Sequence, residues 1–273
     1  MKMVVLVENS SRCRLCAEHG LSVYIEYEGK TYLLDTGATA LFAENAKELG
    51  IDLSKVDTAF LSHAHYDHSG GFEEFFKEND KAAVYMQETS AENCFYRTEG
   101  KDKYIGIPQH LLENYKERFR PLNAVCEVEK GVWVVPHFTG GLDEMGRRAH
   151  MYRKIGEEFI ADDFAHEQSV VFETGKGLVI FNSCSHGGDC QYCARSADGT
   201  RRAKGLCGCR WIPYDEAFGH GYTCHTGGRG CRNCAGIERT WRRGNLYRSL
   251  YRKYCIQDSE KRTWRNGTCT WNR

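Results

Sequence analysis

The chain has 273 residues, 41% of them hydrophobic, which is enough for one large domain with a sizeable core. Its 37 basic and 37 acidic residues balance, and no segment approaches the roughly 18–20 apolar residues of a membrane helix, so we expect no membrane span. The first apolar run, residues 1–7, is too short for a signal peptide and leads into Glu8, so we expect a cytoplasmic protein.

The balanced charge is an average over two unlike parts of the chain. Residues 1–188 contain 20 basic and 30 acidic residues, whereas residues 189–273 contain 17 basic and 7 acidic residues. The cysteines are as uneven, with 5 in the first part and 9 in the second. This asymmetry predicts a main domain over residues 1–188 and a separate basic, Cys-rich tail over residues 189–273.

Hydrophobic periodicity in the main domain predicts alternating strands and helices. The predicted elements, in chain order, are strands over 1–7, 21–27 and 31–35, a helix over 39–50, and strands over 56–62, 131–136, 168–173 and 177–182. A hairpin turn is expected at Glu28-Gly29-Lys30, and Gly50 is expected to cap the helix. Residues 88–130 are weakly patterned, with a predicted helix over 111–119. They suggest an insertion near the mouth of a functional site. Together the elements predict an α/β fold with sheets flanked by helices.

The strongest chemical signal follows the strand at 56–62. The segment SHAHYDHSGG, residues 62–71 (the His-Asp motif), places three imidazoles and one carboxylate within six positions. Imidazole and carboxylate are ligands that zinc prefers. We expect His63 and His65 to bind one metal ion, and Asp67 and His68, the predicted catalytic residues, to bind a second. The alternative is a surface loop that happens to be rich in histidine.

A motif of the form HxHxDH after a buried strand resembles the metallo-β-lactamase superfamily. That resemblance implies an αββα sandwich with two divalent metal ions, zinc first, with manganese, iron or magnesium as alternatives. Asp35, in LDTG, matches an upstream aspartate that orients the ligands from behind; otherwise it is a turn residue at a strand end. His186, in NSCSHGG, stands where the family places a later metal ligand, and Cys184 lies beside it.

Residues 4–188 resemble one branch of that superfamily more closely. The segments AEHGLS (17–22), NAKELGID (45–52), HEQS (166–169) and SCSHGG (183–188) are similar to the branch named after 7,8-dihydropterin-6-methyl-4-(β-D-ribofuranosyl)aminobenzene-5′-phosphate synthase. Most members are called simply metal-dependent hydrolases. The resemblance therefore implies a hydrolase or a synthase-like transferase acting on a small, phosphorylated molecule, with neither a membrane nor a nucleic acid as partner.

The Cys-rich tail supports two interpretations. Its paired cysteines, such as Cys190/Cys193 and Cys231/Cys234, are typical of zinc modules, and with its arginines they would make a metal-dependent nuclease with a nucleic-acid-binding tail. Apolar periodicity is absent there, however, and reasonable codons for residues 209–215, shifted by one base, encode Gly-Gly-Phe-His, a segment that the family has at this point. We therefore interpret the tail as an out-of-frame translation and expect it to be poorly ordered.

An out-of-frame tail would remove the Gly-Gly-Phe-His histidine from the metal site. We then expect little activity from the printed chain, and a metal-binding remnant without catalysis becomes a third hypothesis.

The frame of the tail can be checked on the gene. We expect sequencing across codons 180–195 to show one misplaced base, with the Gly-Gly-Phe-His segment open downstream. An unbroken reading frame with no misplaced base would contradict this prediction and favour the zinc-module interpretation.

Overall fold

The structure is a computed structural model that describes residues 1–11, 15–137, 140–175 and 177–186, together with Thr200 and three short strands beyond it. The predictions made for the Cys-rich tail therefore lie outside the described residues, apart from the backbone of those strands. Two compact units are present, one formed by Met1–Ala124, Pro136–Gln168 and Arg262–Arg273, and the other by Val125–Val135 and Ser169–Lys261.

The described residues form strands and short helices in alternation. In chain order they are β1 Lys2–Val7, β2 Ser22–Tyr27, β3 Lys30–Leu34, α1 Leu41–Glu48, β4 Thr58–Phe60, α2 Tyr66–Ser69, α3 Phe72–Glu78, β5 Ala83–Gln87, β6 Asn93–Thr98, β7 Lys101–Tyr104, α4 Gln109–Asn114, β8 Phe119–Leu122, β9 Cys126–Glu129, β10 Val132–Pro136, α5 Asp143–Arg148, β11 Met151–Ile155, β12 Glu158–Ala161, β13 Gln168–Thr174, β14 Gly177–Phe181, β15 Trp211–Ile212, β16 Arg262–Arg265 and β17 Thr268–Trp271. None of the helices in these ranges is long and apolar enough to cross a bilayer.

The main sheet of the first unit has the strand order β16-β17-β1-β2-β3-β4-β5-β8. Strands β1, β2 and β3 are antiparallel, whereas β3, β4, β5 and β8 run parallel to one another. The parallel register places Leu34 opposite Phe60. Because parallel strands end at the same edge of a sheet, the residues that follow β3 and β4 emerge side by side.

Two local predictions are confirmed in this sheet. Glu28 and Gly29 connect β2 to β3 with φ of 49° and 77°, the positive values that a two-residue type I′ hairpin requires. Gly50 follows α1 at φ 70°, and the Ile51 N–H donates to the Ala46 carbonyl at 2.8 Å. This left-handed glycine ends the helix as expected.

A second sheet of the first unit has the order β12-β11-β6-β7. Half of it comes from the weakly patterned segment 88–130, which therefore contains a hairpin as well as β8, a member of the main sheet. The helix predicted over 111–119 is wrong in its bounds: α4 begins at Gln109, directly after Pro108, and ends at Asn114. Tyr115 leaves the helical conformation at ψ 28°, and a 3-10 turn follows at Lys116–Arg118.

The core of the first unit is aromatic on the side of the main sheet that carries α3. Phe72 stacks on Phe76 with ring centroids 5.7 Å apart, and Phe119 meets both rings edge to face. Phe42 of α1 is fully buried in the same cluster. Burying one such side chain contributes about 1.5–3 kcal/mol, so these rings anchor α1 and α3 to the sheet.

The second unit contains a five-stranded sheet of order β15-β14-β13-β10-β9. Its β13 and β14 form an antiparallel hairpin, and Trp133, Val135, Val171, Leu178 and Ile180 form its apolar cluster. The strands predicted over 131–136, 168–173 and 177–182 are confirmed by β10, β13 and β14.

Gly70 and Gly71 end the His-Asp motif at a point where the backbone is tightly packed. A Cβ at Gly70 would lie 2.1 Å from the carbonyl oxygen of Ala38, and one at Gly71 would lie 2.5 Å from that of Thr36. Neither position tolerates a side chain while the segment after β3 stays in place. The pair of glycines therefore lets the motif approach the segment 36–39.

We expect Gly70→Ala to lower the free energy of unfolding by roughly 1–3 kcal/mol, because backbone must shift to admit the methyl group. Gly175→Ala is the matched control, since its added Cβ would meet nothing within 4 Å. Denaturant unfolding of both variants measures the difference. Equal stabilities would show that the packing at Gly70 is not restrictive.

Candidate metal centre

The His-Asp motif leaves the carboxyl end of β4 and turns into α2. His63 and His65 lie on the extended segment, and His65 takes the N-cap position of α2 with extended dihedral angles (φ −106°, ψ 149°). Asp67 and His68 follow within the helix, where the Gly70 N–H donates to the Tyr66 carbonyl. The change from strand to helix within five residues turns all four side chains inward, and each is at most 7% exposed.

Asp35 lies directly behind the motif, at the end of β3. It adopts φ 58°, a left-handed conformation that is uncommon for a residue other than glycine. Its buried carboxylate accepts three hydrogen bonds: from the Ser62 N–H at 2.7 Å, the Ser62 hydroxyl at 2.6 Å, and Nδ1 of His68 at 2.7 Å. Asp35 thus contacts the motif directly, and its role in orienting metal ligands stays a prediction.

These hydrogen bonds decide which ring nitrogens carry protons. The Nδ1 of His68 must donate to Asp35, since a carboxylate accepts only. The Ser62 hydroxyl uses its single proton on Asp35, so its 2.9 Å contact with Nδ1 of His63 requires that nitrogen to donate as well. In both rings Nε2 therefore carries the lone pair, the arrangement in which histidine binds a metal ion.

Asp67 and His68 have the spacing of two ligands on one ion. Oδ2 of Asp67 lies 3.6 Å from Nε2 of His68. Two ligands of a tetrahedral zinc ion, each about 2.0–2.2 Å from it, lie roughly 3.3–3.6 Å apart. Oδ2 of Asp67 also lies 3.3 Å from Nε2 of His19, whose ring is 74% exposed.

The rings of the motif are packed together. The centroids of His63 and His65 are 4.6 Å apart, and those of His63 and His68 are 4.2 Å apart. Three buried imidazoles and one carboxylate form a donor set that zinc prefers. The residues present therefore fit a divalent metal ion, and their individual ligand roles remain predictions.

His186 lies in the second unit, five residues beyond the end of β14. It is half-buried, and Cys184 beside it is exposed. Ser185 between them takes φ 51°. The role of His186 as a later metal ligand stays a prediction.

A further buried pair stands beside the motif in the first unit. Nε2 of His166 lies 3.1 Å from Oδ2 of Asp162, and the Ala64 N–H donates to Nδ1 of His166 at 3.2 Å. Burial lowers the pKa of His166, but the charges of Asp162 and Cys94 and the hydrogen bonds to both together outweigh it and raise that pKa well above its usual value. The Ala64 N–H points at Nδ1 and would clash with a proton there. In the neutral ring the proton therefore lies on Nε2.

Sequence reasoning assigned no role to His19, His166, Asp162 or Gln168. His19 and the HEQS segment were noticed only as part of the resemblance, while no local signal marks Asp162. Gln168 donates through its side-chain amide to the backbone carbonyls of Leu61 and Tyr85. Its backbone N–H donates to the carbonyl of Ser62. These bonds fix the position of the chain where β4 ends and the motif begins.

Comparisons with known proteins agree with this geometry. The model of the metallo-beta-lactamase superfamily matches residues 17–186. A 7,8-dihydropterin-6-methyl-4-(beta-D-ribofuranosyl)-aminobenzene-5′-phosphate synthase from Methanocaldococcus jannaschii is 28% identical, over 63% of this chain and 63% of that protein. The anti-Pycsar protein Apyc1 of Paenibacillus harenae is 30% identical over 38% of this chain and 44% of that protein. The match thus spans less than two thirds of either relative.

Among solved structures, Tm1679, a metal-dependent hydrolase of the beta-lactamase superfamily, superposes with a TM-score of 0.56 at 26% identity. That superposition covers 69% of this chain and 67% of the other.

We expect Asp35→Asn to weaken zinc binding about 10–100-fold, because an amide nitrogen cannot accept the protons that Asp35 holds on Ser62 and His68. Competition with a chromophoric chelator measures the affinity. Asp52→Asn, at an exposed 3-10 turn, is the control and should bind as the parent protein does. An unchanged affinity in Asp35→Asn would show that the carboxylate does not orient the ligands.

Proposed function

The chain belongs to the metallo-beta-lactamase superfamily, and on that premise we propose that it is a metal-dependent hydrolase acting on a small phosphate ester. One observation carries the proposal: Asp35 leaves a lone pair on Nε2 of both His63 and His68 in a buried set of metal ligands. A surface loop that binds no metal ion would not need this control of the ring nitrogens.

When bound by these residues, a divalent ion, with zinc favoured by the donor set, would supply Lewis acidity and a source of hydroxide near neutral pH. Two ions are proposed, one at His63 and His65 and one at Asp67 and His68, with His186 as a further ligand. Manganese, iron and magnesium remain alternatives for the same ligands.

The residues of the chain would hold and orient the reacting groups. Asp67 and His68 are the proposed catalytic residues, while Asp35 and Ser62 act through the imidazoles and are positioning residues. His19 is placed to exchange a proton between solvent and Asp67, because its exposed ring meets that carboxylate at 3.3 Å. Its other nitrogen is held by Asn9 at 3.0 Å.

The substrate class rests on the relatives. The synthase of Methanocaldococcus jannaschii is named for a phosphorylated product, which supports a phosphorylated small molecule here. A synthase-like transfer with a phosphate leaving group is the second candidate, supported by that same similarity. The nuclease hypothesis depends on the Cys-rich tail and therefore lies outside the described residues.

We expect the protein to hydrolyse bis(4-nitrophenyl) phosphate slowly, to lose this activity on chelation and to regain it with zinc or manganese. Asp67→Asn should lower the rate about 100-fold or more, because it removes a proposed ligand and catalytic group. Asp80→Asn, an exposed residue outside the site, is the control. Metal binding without turnover of any phosphate ester would favour the non-catalytic remnant instead.

A further inference from the structure

The buried side chains around His166 have the composition of a metal site. Donor atoms of His65, Cys94, Asp162 and His166 all lie within 4.8 Å of one another, and none of these residues is more than 4% exposed. They come from the motif, from β6, from the end of β12 and from the segment before β13. A thiol, two imidazoles and a carboxylate form a donor set that zinc accepts.

The hydrogen bonds of His166 point to a different use. Its Nδ1 accepts the Ala64 N–H, so in the neutral ring the proton sits on Nε2, which faces Asp162. A metal ion on Nε2 would move that proton to Nδ1, directly opposite the Ala64 N–H. His166 is thus held in the tautomer opposite to that of His63 and His68.

The pair is anchored on its far side. Asp162 accepts the Phe164 N–H at 2.8 Å and lies 3.7 Å from Nε of Arg153. Arg153 also contacts the carboxylates of Glu92 and Asp163. The Asp162 carboxylate is therefore fixed by the backbone and by a guanidinium before it meets His166.

The other end of the pair meets the motif between two predicted ligands. Ala64 is fully buried and separates His63 from His65. The His65 N–H donates to the His63 carbonyl at 3.0 Å, so the chain bends sharply around Ala64. Ring contacts continue this arrangement, since His166 lies 5.3 Å from His65 and 6.1 Å from His63 between centroids.

We propose that Asp162 and His166 are positioning residues, in which the carboxylate sets the tautomer of His166 and His166 holds the Ala64 peptide that spaces His63 and His65. The inference rests on the proposed metal site but concerns residues outside its ligand set. It also explains why a buried histidine stands close to the motif without joining its ligands.

Two substitutions of His166 separate its two hydrogen bonds. The side-chain oxygen of asparagine can replace Nδ1 and accept from Ala64, whereas the longer glutamine can replace Nε2 and reach Asp162. We expect His166→Asn to keep most of the cobalt affinity of the parent protein. His166→Gln should lose about 10–100-fold, because the Ala64 peptide is released. In the visible spectrum of the cobalt-loaded protein, only His166→Gln should shift the bands.

Hydrogen exchange at the Ala64 amide tests the same contact on metal-free protein. Exchange should stay slow in His166→Asn and become faster in His166→Gln, with Asp162→Asn in between. Equal exchange and equal cobalt spectra in the two His166 variants would overturn the proposal. A loss of one bound ion per chain in His166→Asn would overturn it too, since His166 would then be a ligand.

The two proposals fail differently. If cobalt does not bind but Ala64 exchange follows the expected order, the proposed function is wrong and the positioning role stands. If metal-dependent hydrolysis is present but the two His166 variants behave alike, the proposed function stands and the positioning role is wrong.

Discussion

The buried carboxylate of Asp35 is the constraint on which the site depends. Burying a carboxylate away from water costs free energy unless hydrogen-bond donors replace the water. Here three donors from the motif do so. Those donors exist in one place only because β3 and β4 run parallel with Leu34 opposite Phe60. The sheet register thus decides the orientation of Ser62, and through it the proton of His63. One acidic residue connects strand pairing with the chemistry of two imidazoles.

Much of this could be predicted from local patterns. The metallo-β-lactamase α/β fold expected from the sequence is confirmed, because its strands are apolar runs bounded by turn residues and its motif lies within ten residues of chain. Asp35 was found only through resemblance, since its two partner residues, Ser62 and His68, are 27 and 33 residues away. Asp162 and His166 were given no role, because the contact of His166 with Ala64 joins segments about a hundred residues apart. The hairpin in 88–130 escaped notice because half-exposed strands have little apolar periodicity.

The family match ends at residue 186, two residues before the composition of the chain reverses. The described first unit contains the whole His-Asp motif, Asp35, and the pair Asp162 and His166. The part of the site that these residues form therefore depends on segments well inside the family match. The segment that would supply later ligands begins with His186, where the family match and the continuously described part of the chain both end.

Because Asp35 and the motif come from different strands, the ligands are in position only when the sheet is formed. The unfolded chain would hold a metal ion much more weakly, so the ion acts as a ligand of the native state. By mass action, the stability of the fold then depends on the metal supply. Free metal at a hundred times its dissociation constant adds about 2.7 kcal/mol to the free energy of unfolding. If the proposed metal ion is bound, the abundance of the folded protein in a cell would follow metal availability.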